Sequence, residues 1–209
     1  MASLQAYFNF HKATNIFVEA FKIQQEIPNP DFNLKEELLT ASCQKNDSSA
    51  QEILYKRYVN TMMRICLRYL KEEQEAEDAM INAFVKVFAK ISTFEYRGAG
   101  SLVGWIKRIM VNECLMALRK KKKKFIGLET IANLGQQSII EGNINREDIF
   151  KVVQKLPKGY RTVFNMYAID GYTHKEIAQH LGISENTSKS QLSKARTSLK
   201  KSLTKLDML

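Results

Sequence analysis

The sequence predicts an all-α chain: two small helical domains joined by a flexible linker, the second ending in a helix-turn-helix. Three observations predict it. Apolar residues recur at three- to four-residue steps through most of the chain, and few runs alternate apolar with polar residues as half-buried strands do. Only three prolines interrupt the 209 residues. Between two periodic blocks, Gly127 to Asn145 loses the helical period and gains Gly, Asn and Gln, as a linker does.

Taken in order, residues 1–33 carry a stripe of Phe8, Phe10, Ile16, Phe17 and Phe21, cut off from the rest of the chain by Pro28 and Pro30. No role is assigned to this extension. The first domain is expected over 34–124. Ser49 and Glu52 have capping-box spacing, and Leu54, Tyr58, Met62, Ile65 and Tyr69 make one buried stripe. Lys56, Arg57, Arg64 and Arg68 fall off that stripe and are expected in solvent. The next helix, Glu72 to Ile91, begins with acids that suit the positive end of its dipole. It buries Ala76, Met80, Ala83, Phe84 and Val87, leaving Glu77, Asp78, Asn82 and Lys86 outside as a candidate docking face. Two glycines in FEYRGAGS, Phe94 to Ser101, break the pattern. This segment places Phe94 and Tyr96 beside Arg97: rings on which an unstacked base can lie and a charge for its phosphate. Next comes a helix from Leu102 to Lys124, with Leu102, Trp105, Ile109 and Met116 inward and Lys107, Arg108 and Asn112 outward. It closes on Arg119 and the lysines Lys120 to Lys124, a run that needs phosphate or solvent to relieve its repulsion.

The linker is placed at 125–145 and the second domain at 146–209. Ile149, Val153 and Leu156 form a short stripe, Pro157 suits the first turn of the next helix, and Val163, Phe164 and Tyr167 bury. Gly171 closes that helix. Then comes GYTHKEIAQHLGISENTSKSQLSKAR. Thr173 and Glu176 have capping-box spacing; Ile177, Ala178 and Leu181 face inward. Gly182 suits the left-handed turn and Ser184 caps a second helix. That helix buries Leu192, Ala195 and Leu199 and presents Glu185, Asn186, Lys189, Ser190 and Lys194. A pair of this form sets the start of its second helix in the DNA major groove. Thr173, Lys175, Ser184, Thr187 and Arg196 complete the candidate DNA-binding set.

The bulk chemistry points the same way. A net charge of +10 and a pI near 9.4 favour a polyanionic partner, nucleic acid first. Cys43, Cys66 and Cys114 lack paired spacing and read as free thiols; His11, His174 and His180 form no ligand cluster and read as surface residues. No metal, cofactor or catalytic residue is expected. With no long apolar run and no secretion signal, membrane insertion is not expected and a cytoplasmic location is. The chain is not expected to be an enzyme, since a nuclease would need clustered carboxylates for metal ions. A polymerase-independent helix-turn-helix regulator and a helical adaptor are the other readings. The first leaves Glu72 to Ile91 without a task, and the second leaves the basic and aromatic surfaces unexplained.

Four segments in order, EDAMINAFVKVF, FEYRGAGSLVGWIKRI with its basic run, LPKGYRTVF and the helix-turn-helix, resemble the extracytoplasmic-function sigma factors of bacterial RNA polymerase. The resemblance covers roughly Leu34 to Lys205. It implies core RNA polymerase and promoter DNA as partners, often with an inhibitory anti-sigma protein. It implies that the Asp78 helix docks on the polymerase clamp and that the loop from Tyr96 to Ser101 captures a flipped base of the minus-ten element. The Trp105 to Lys124 helix then lies on that strand, through Trp105, Arg108, Asn112, Arg119 and Lys120, and the Ser184 to Arg196 helix reads the minus-thirty-five element. Four departures stand out: Ile81 and Asn82 where Gln and an acid are common, Met116 for a frequent Asp, Ser188 for a usual Val, and Gln191 for a frequent Arg. The last is expected to remove one phosphate or base contact.

Overall fold

A computed structural model describes residues 35–125 and 146–204. Every regular element among them is helical: α1 Glu36–Gln44, α2 Ser48–Tyr69, α3 Glu73–Lys90, a 3-10 turn Ile91–Thr93, α4 Ser101–Phe125, α5 Arg146–Gln154, α6 Lys158–Phe164, a π turn Asn165–Ile169, α7 His174–Leu181 and α8 Glu185–Thr204. The described residues form two compact units, α1–α4 and α5–α8. Residues 1–33 lie outside the described residues. So does the expected linker, apart from Phe125, the last residue of α4.

In the first unit α2, α3 and α4 pack on one another and α1 lies on α2 and the 3-10 turn. The shared core holds Leu54, Met62, Ile65, Tyr69, Met80, Phe84 and Val87, each worth roughly 1.5–3 kcal/mol as a buried large side chain. The start of α2 differs from expectation. Asp47, not Ser49, is the cap: its carboxylate accepts from Ser49 N (2.9 Å) and Ala50 N (3.3 Å). Asp is as good a cap as Ser and sits one residue before the first turn. Glu52 pairs with Lys56 instead. Arg68, expected in solvent, is buried, its guanidinium 5.9 Å from the Tyr69 ring centroid.

The inward face of α4 is also displaced. Leu102 is buried as expected, but the stripe continues through Ile106, Met110, Cys114 and Leu118, with Val111 and Leu115 beside it. Trp105 and Ile109 are half-buried at the rim and Met116 is exposed. Two helices, α2 and α3, cover α4, so the apolar arc is wider than one stripe and its centre lies one residue along. The three cysteines are free and buried; desolvation first, and then Asp47, push the Cys43 thiol up to about 11. That keeps it protonated and unreactive.

The second unit is organised on α8, against which α5, α6 and α7 pack. Val152, Val153, Leu156, Val163, Phe164, Met166, Ile177, Leu192, Ala195 and Leu199 form its core. Pro157 is the N-cap of α6 rather than a first-turn residue, with extended ψ of 144°. Tyr167, expected to bury, is exposed: the π turn adds a residue to the helical repeat, so Asn165 and Met166 take the inward positions. Buried Arg161 lies 3.3 Å from both Gln154 O and Leu156 O, closing the end of α5 onto α6. In α7 Ile177 is buried, while Ala178 and Leu181 are half-buried.

Candidate polymerase and nucleic-acid interfaces

The outer face of α3 follows from the burial of Ala76, Ala79, Met80, Ala83 and Val87 on its other side. Glu77, Asp78 and Asn82 are exposed, as the spacing predicts. Ile81 and Val85, one helical turn apart, are exposed among them at 48% and 63%. Sequence reasoning missed this pair; its signal is two branched apolar residues outside the buried stripe. Lys86 is less available than expected, since its ammonium is 2.5 Å from Glu113 Oε1 on α4.

The loop after the 3-10 turn is held by its own residues. The Phe94 ring lies on Trp105 with centroids 4.9 Å apart, so both rings are engaged with each other. Arg97 N donates to Ser101 Oγ (3.2 Å), and the exposed Arg97 guanidinium pairs with Glu95 (3.0 Å). Tyr96 is half-buried by residue. Desolvation first, then Glu36 and Glu37, hold its phenol above its usual pKa. It therefore stays a neutral phenol at physiological pH. From here a single face runs along α4. Ser101, Trp105, Arg108, Asn112 and Arg119 are spaced by four, three, four and seven residues, which returns each to the same side of a 3.6-residue helix. Arg108, Asn112, Arg119 and Lys120 are exposed. One lysine of the basic run is diverted: Lys121 pairs with Glu75 of α3 at 2.7 Å.

The helix-turn-helix is built as its sequence predicts. Thr173 Oγ1 accepts from Glu176 N (3.3 Å), and Glu176 Oε2 accepts from Thr173 N (2.8 Å). Gly182 takes the left-handed conformation at φ 63°. Ser184 Oγ accepts from Thr187 N at 3.0 Å and also meets the half-buried Thr187 hydroxyl at 2.9 Å. Glu185, Asn186, Lys189, Ser190 and Lys194 are exposed over the first turns of α8, and Thr173 and Lys175 are exposed at the start of α7. Three residues sit otherwise than expected. The Arg196 guanidinium lies 5.8 Å from the Tyr167 ring centroid. Gln191 points at α6: a Cβ added at Gly159 would lie 3.2 Å from its Oε1. Gln191 is thus placed where α6 packs on α8. His174 is not a plain surface residue, because it stacks on Tyr167 at 4.5 Å and meets buried Ser188. Among the described residues no three His, Cys, Asp or Glu side chains gather as metal ligands.

Comparison with known proteins adds two matches, "Sigma-70 region 2" over residues 54–124 and "Sigma-70, region 4" over residues 146–199, together more than half of the chain. The chain belongs to the extracytoplasmic-function sigma factors. Its relatives include SigW of Bacillus subtilis, an ECF RNA polymerase sigma factor, at 29% identity over 76% of this chain and 91% of that protein. Sigma-H of Pseudomonas aeruginosa is 22% identical over 81% and 94%, and sigma-E of Escherichia coli 24% over 79% and 93%. Among solved structures, RpoE of Bartonella quintana, in complex with the anti-sigma factor NepR, is 20% identical with a TM-score of 0.48, over 73% of this chain and 96% of that one. This sigma factor directs promoter-specific transcription. Among the described residues no helix is long and apolar enough to cross a membrane.

Proposed function

We propose that this sigma factor binds core RNA polymerase through α3, captures the minus-ten strand with its Phe94–Ser101 loop and α4, and reads the minus-thirty-five element with α8. The observation that carries the reading is the exposed start of α8. Glu185, Asn186, Lys189 and Ser190 stand outward behind the Ser184 cap, where a helix-turn-helix meets base edges. The α4 face from Ser101 to Arg119 supports the other half, offering hydroxyl, ring, amide and cation in line for one strand. Glu77, Asp78, Asn82 and Lys86, with Ile81 and Val85, form the docking face. In this reading residues 34–124 and 146–209 are the two working domains, tethered by 125–145. Core polymerase and promoter DNA are the partners, and an inhibitory anti-sigma protein is a third.

Run-off transcription with added core enzyme tests the whole. A transcript from a promoter fragment is expected only when chain and core are both present. Binding to duplex DNA with no affinity for core would instead make the protein a free-standing regulator. Lys189→Ala is expected to cost on the order of 1–3 kcal/mol in promoter discrimination if it contacts a base edge. An equal loss on every sequence reassigns Lys189 to the backbone.

A further inference from the structure

The Phe94–Ser101 loop is fastened at both ends by a helix outside the region 2 match, which begins at residue 54. At its entrance, Gln44 of α1 donates through Nε2 to Ile91 O (3.2 Å) and Phe94 O (2.7 Å). At its exit, the Glu36 carboxylate accepts from Gly100 N (3.0 Å) and Leu102 N (2.8 Å). The exit contact substitutes for a missing part. Gly100 is the residue before α4 and has no side chain with which to cap it. Its φ of 85° is one that side-chain-bearing residues rarely adopt, so a Ser or Asp cap there would be strained. Ser101 N reaches Gly98 O at 3.1 Å, but the amides on either side of it, Gly100 N and Leu102 N, are the ones that Glu36 takes up where the helix itself offers no acceptor. Glu36 supplies the cap from across the fold, and its negative charge suits the positive end of the α4 dipole.

Glu36 and Gln44 are eight residues apart, which sets them about 12 Å apart along α1. α1 itself is anchored, with Leu39, Thr40 and Cys43 all buried. The loop therefore hangs between two fixed points on a packed strut. A loop already in its binding shape loses less freedom when it takes hold of a strand.

We propose that Glu36 and Gln44 are positioning residues for promoter opening: α1 presets the shape of the Phe94–Gly100 loop, so that strand capture depends on a helix that need not touch DNA. The inference rests on the strand-capture reading, and its test separates the two. Glu36→Gln keeps one acceptor and loses the other, and Gln44→Met keeps the length and loses both donors. Full-length variants are assembled with core polymerase. Opening is followed by 2-aminopurine fluorescence in the minus-ten element, and affinity is measured for a single-stranded minus-ten oligonucleotide, for core enzyme and for minus-thirty-five duplex. Each variant is expected to slow opening and weaken oligonucleotide binding by about ten-fold, the scale of losing charge-assisted or paired hydrogen bonds. Core and duplex affinities should stay within about two-fold, the effect being confined to the loop. Amide exchange at Gly100 and Leu102 should quicken in Glu36→Gln.

If both variants open promoters normally while Tyr96→Ala slows opening, α1 has no such role and the capture reading survives. If Tyr96→Ala leaves opening and oligonucleotide affinity unchanged, the capture reading fails and takes the α1 role with it. A fall in core, duplex and oligonucleotide affinity together, matched by a fall in melting temperature, makes both residues merely structural and overturns the proposal.

Discussion

His174 Nδ1 lies 2.9 Å from the hydroxyl of Ser188, which is completely buried where α7 meets α8. The contact joins the two helices of the helix-turn-helix. Desolvation first, then Lys189 and Arg196, hold the His174 pKa below 6.5, against a smaller opposing effect of Glu185. The folded state thus binds a proton less readily than the unfolded chain. Its contribution to stability is present above about pH 6.5 and is lost as pH falls through that value toward the folded one. The second unit is expected to melt at lower temperature at pH 5 than at pH 7.5, with part of that slope absent in His174→Gln. Thermal unfolding followed across this range checks it; an unchanged slope in the variant removes His174 as the cause.

Val85 and Ile81 project from α3 with little to pack on, so their loss should cost the fold almost nothing. Surface substitutions of this kind usually stay within about 0.5 kcal/mol. As part of a docking face they should matter more, since a few apolar anchors carry most of an interface's energy. Val85→Glu is expected to leave the melting temperature nearly unchanged and to weaken core polymerase binding at least about ten-fold, a loss of roughly 1.4 kcal/mol. Titration of core enzyme with labelled protein measures it.

How much of this can be read from the chain differs between the halves. The helix-turn-helix is legible almost residue by residue, because Thr173, Glu176, Gly182 and Ser184 act over three or four positions and a local signal survives any tertiary arrangement. Tyr167 is not legible, since a π turn shifts the phase of a helix without marking the sequence. The same holds for α4, whose inward face is set by two covering helices rather than by its own periodicity. Arg68 looks like a solvated cation in the sequence, and only the folded surroundings show it, like Arg161, to be buried. The fastening of the loop by Glu36 and Gln44 spans 47 to 66 positions, and no local pattern announces such a contact.

Arg161 offers a direct measure of one of these hidden contacts. Its guanidinium is buried against Gln154 O and Leu156 O, and burial lowers its pKa from the usual arginine value. Arg161→Met keeps the bulk of the stem and removes the donors, so the two carbonyls lose a charged partner. The expected cost is about 2 kcal/mol, within the range for hydrogen bonds to charged groups. In a unit of this size that corresponds to a fall of roughly 8–16 °C in melting temperature. The first unit, which does not contain Arg161, should melt as before.

Tyr96 is the residue on which the mechanism can be split into binding and opening. Flipping a base from the duplex costs a few kcal/mol, and stacking on an aromatic ring returns roughly 1–3 kcal/mol per base. The two are close, so under the proposed strand capture stacking nearly offsets opening and the ring decides whether the open state is populated. With Phe94 already lying on Trp105, Tyr96 is the loop's half-buried aromatic left to meet a base. Tyr96→Ala is expected to slow promoter opening by about ten- to a hundred-fold, in proportion to the lost stacking, while duplex binding changes little. Tyr96→Phe should keep most of the opening rate, because it keeps the ring. Stopped-flow fluorescence on a duplex promoter, beside equilibrium binding to the same duplex, separates the two quantities. Equal losses in opening and duplex binding would reject strand capture by Tyr96.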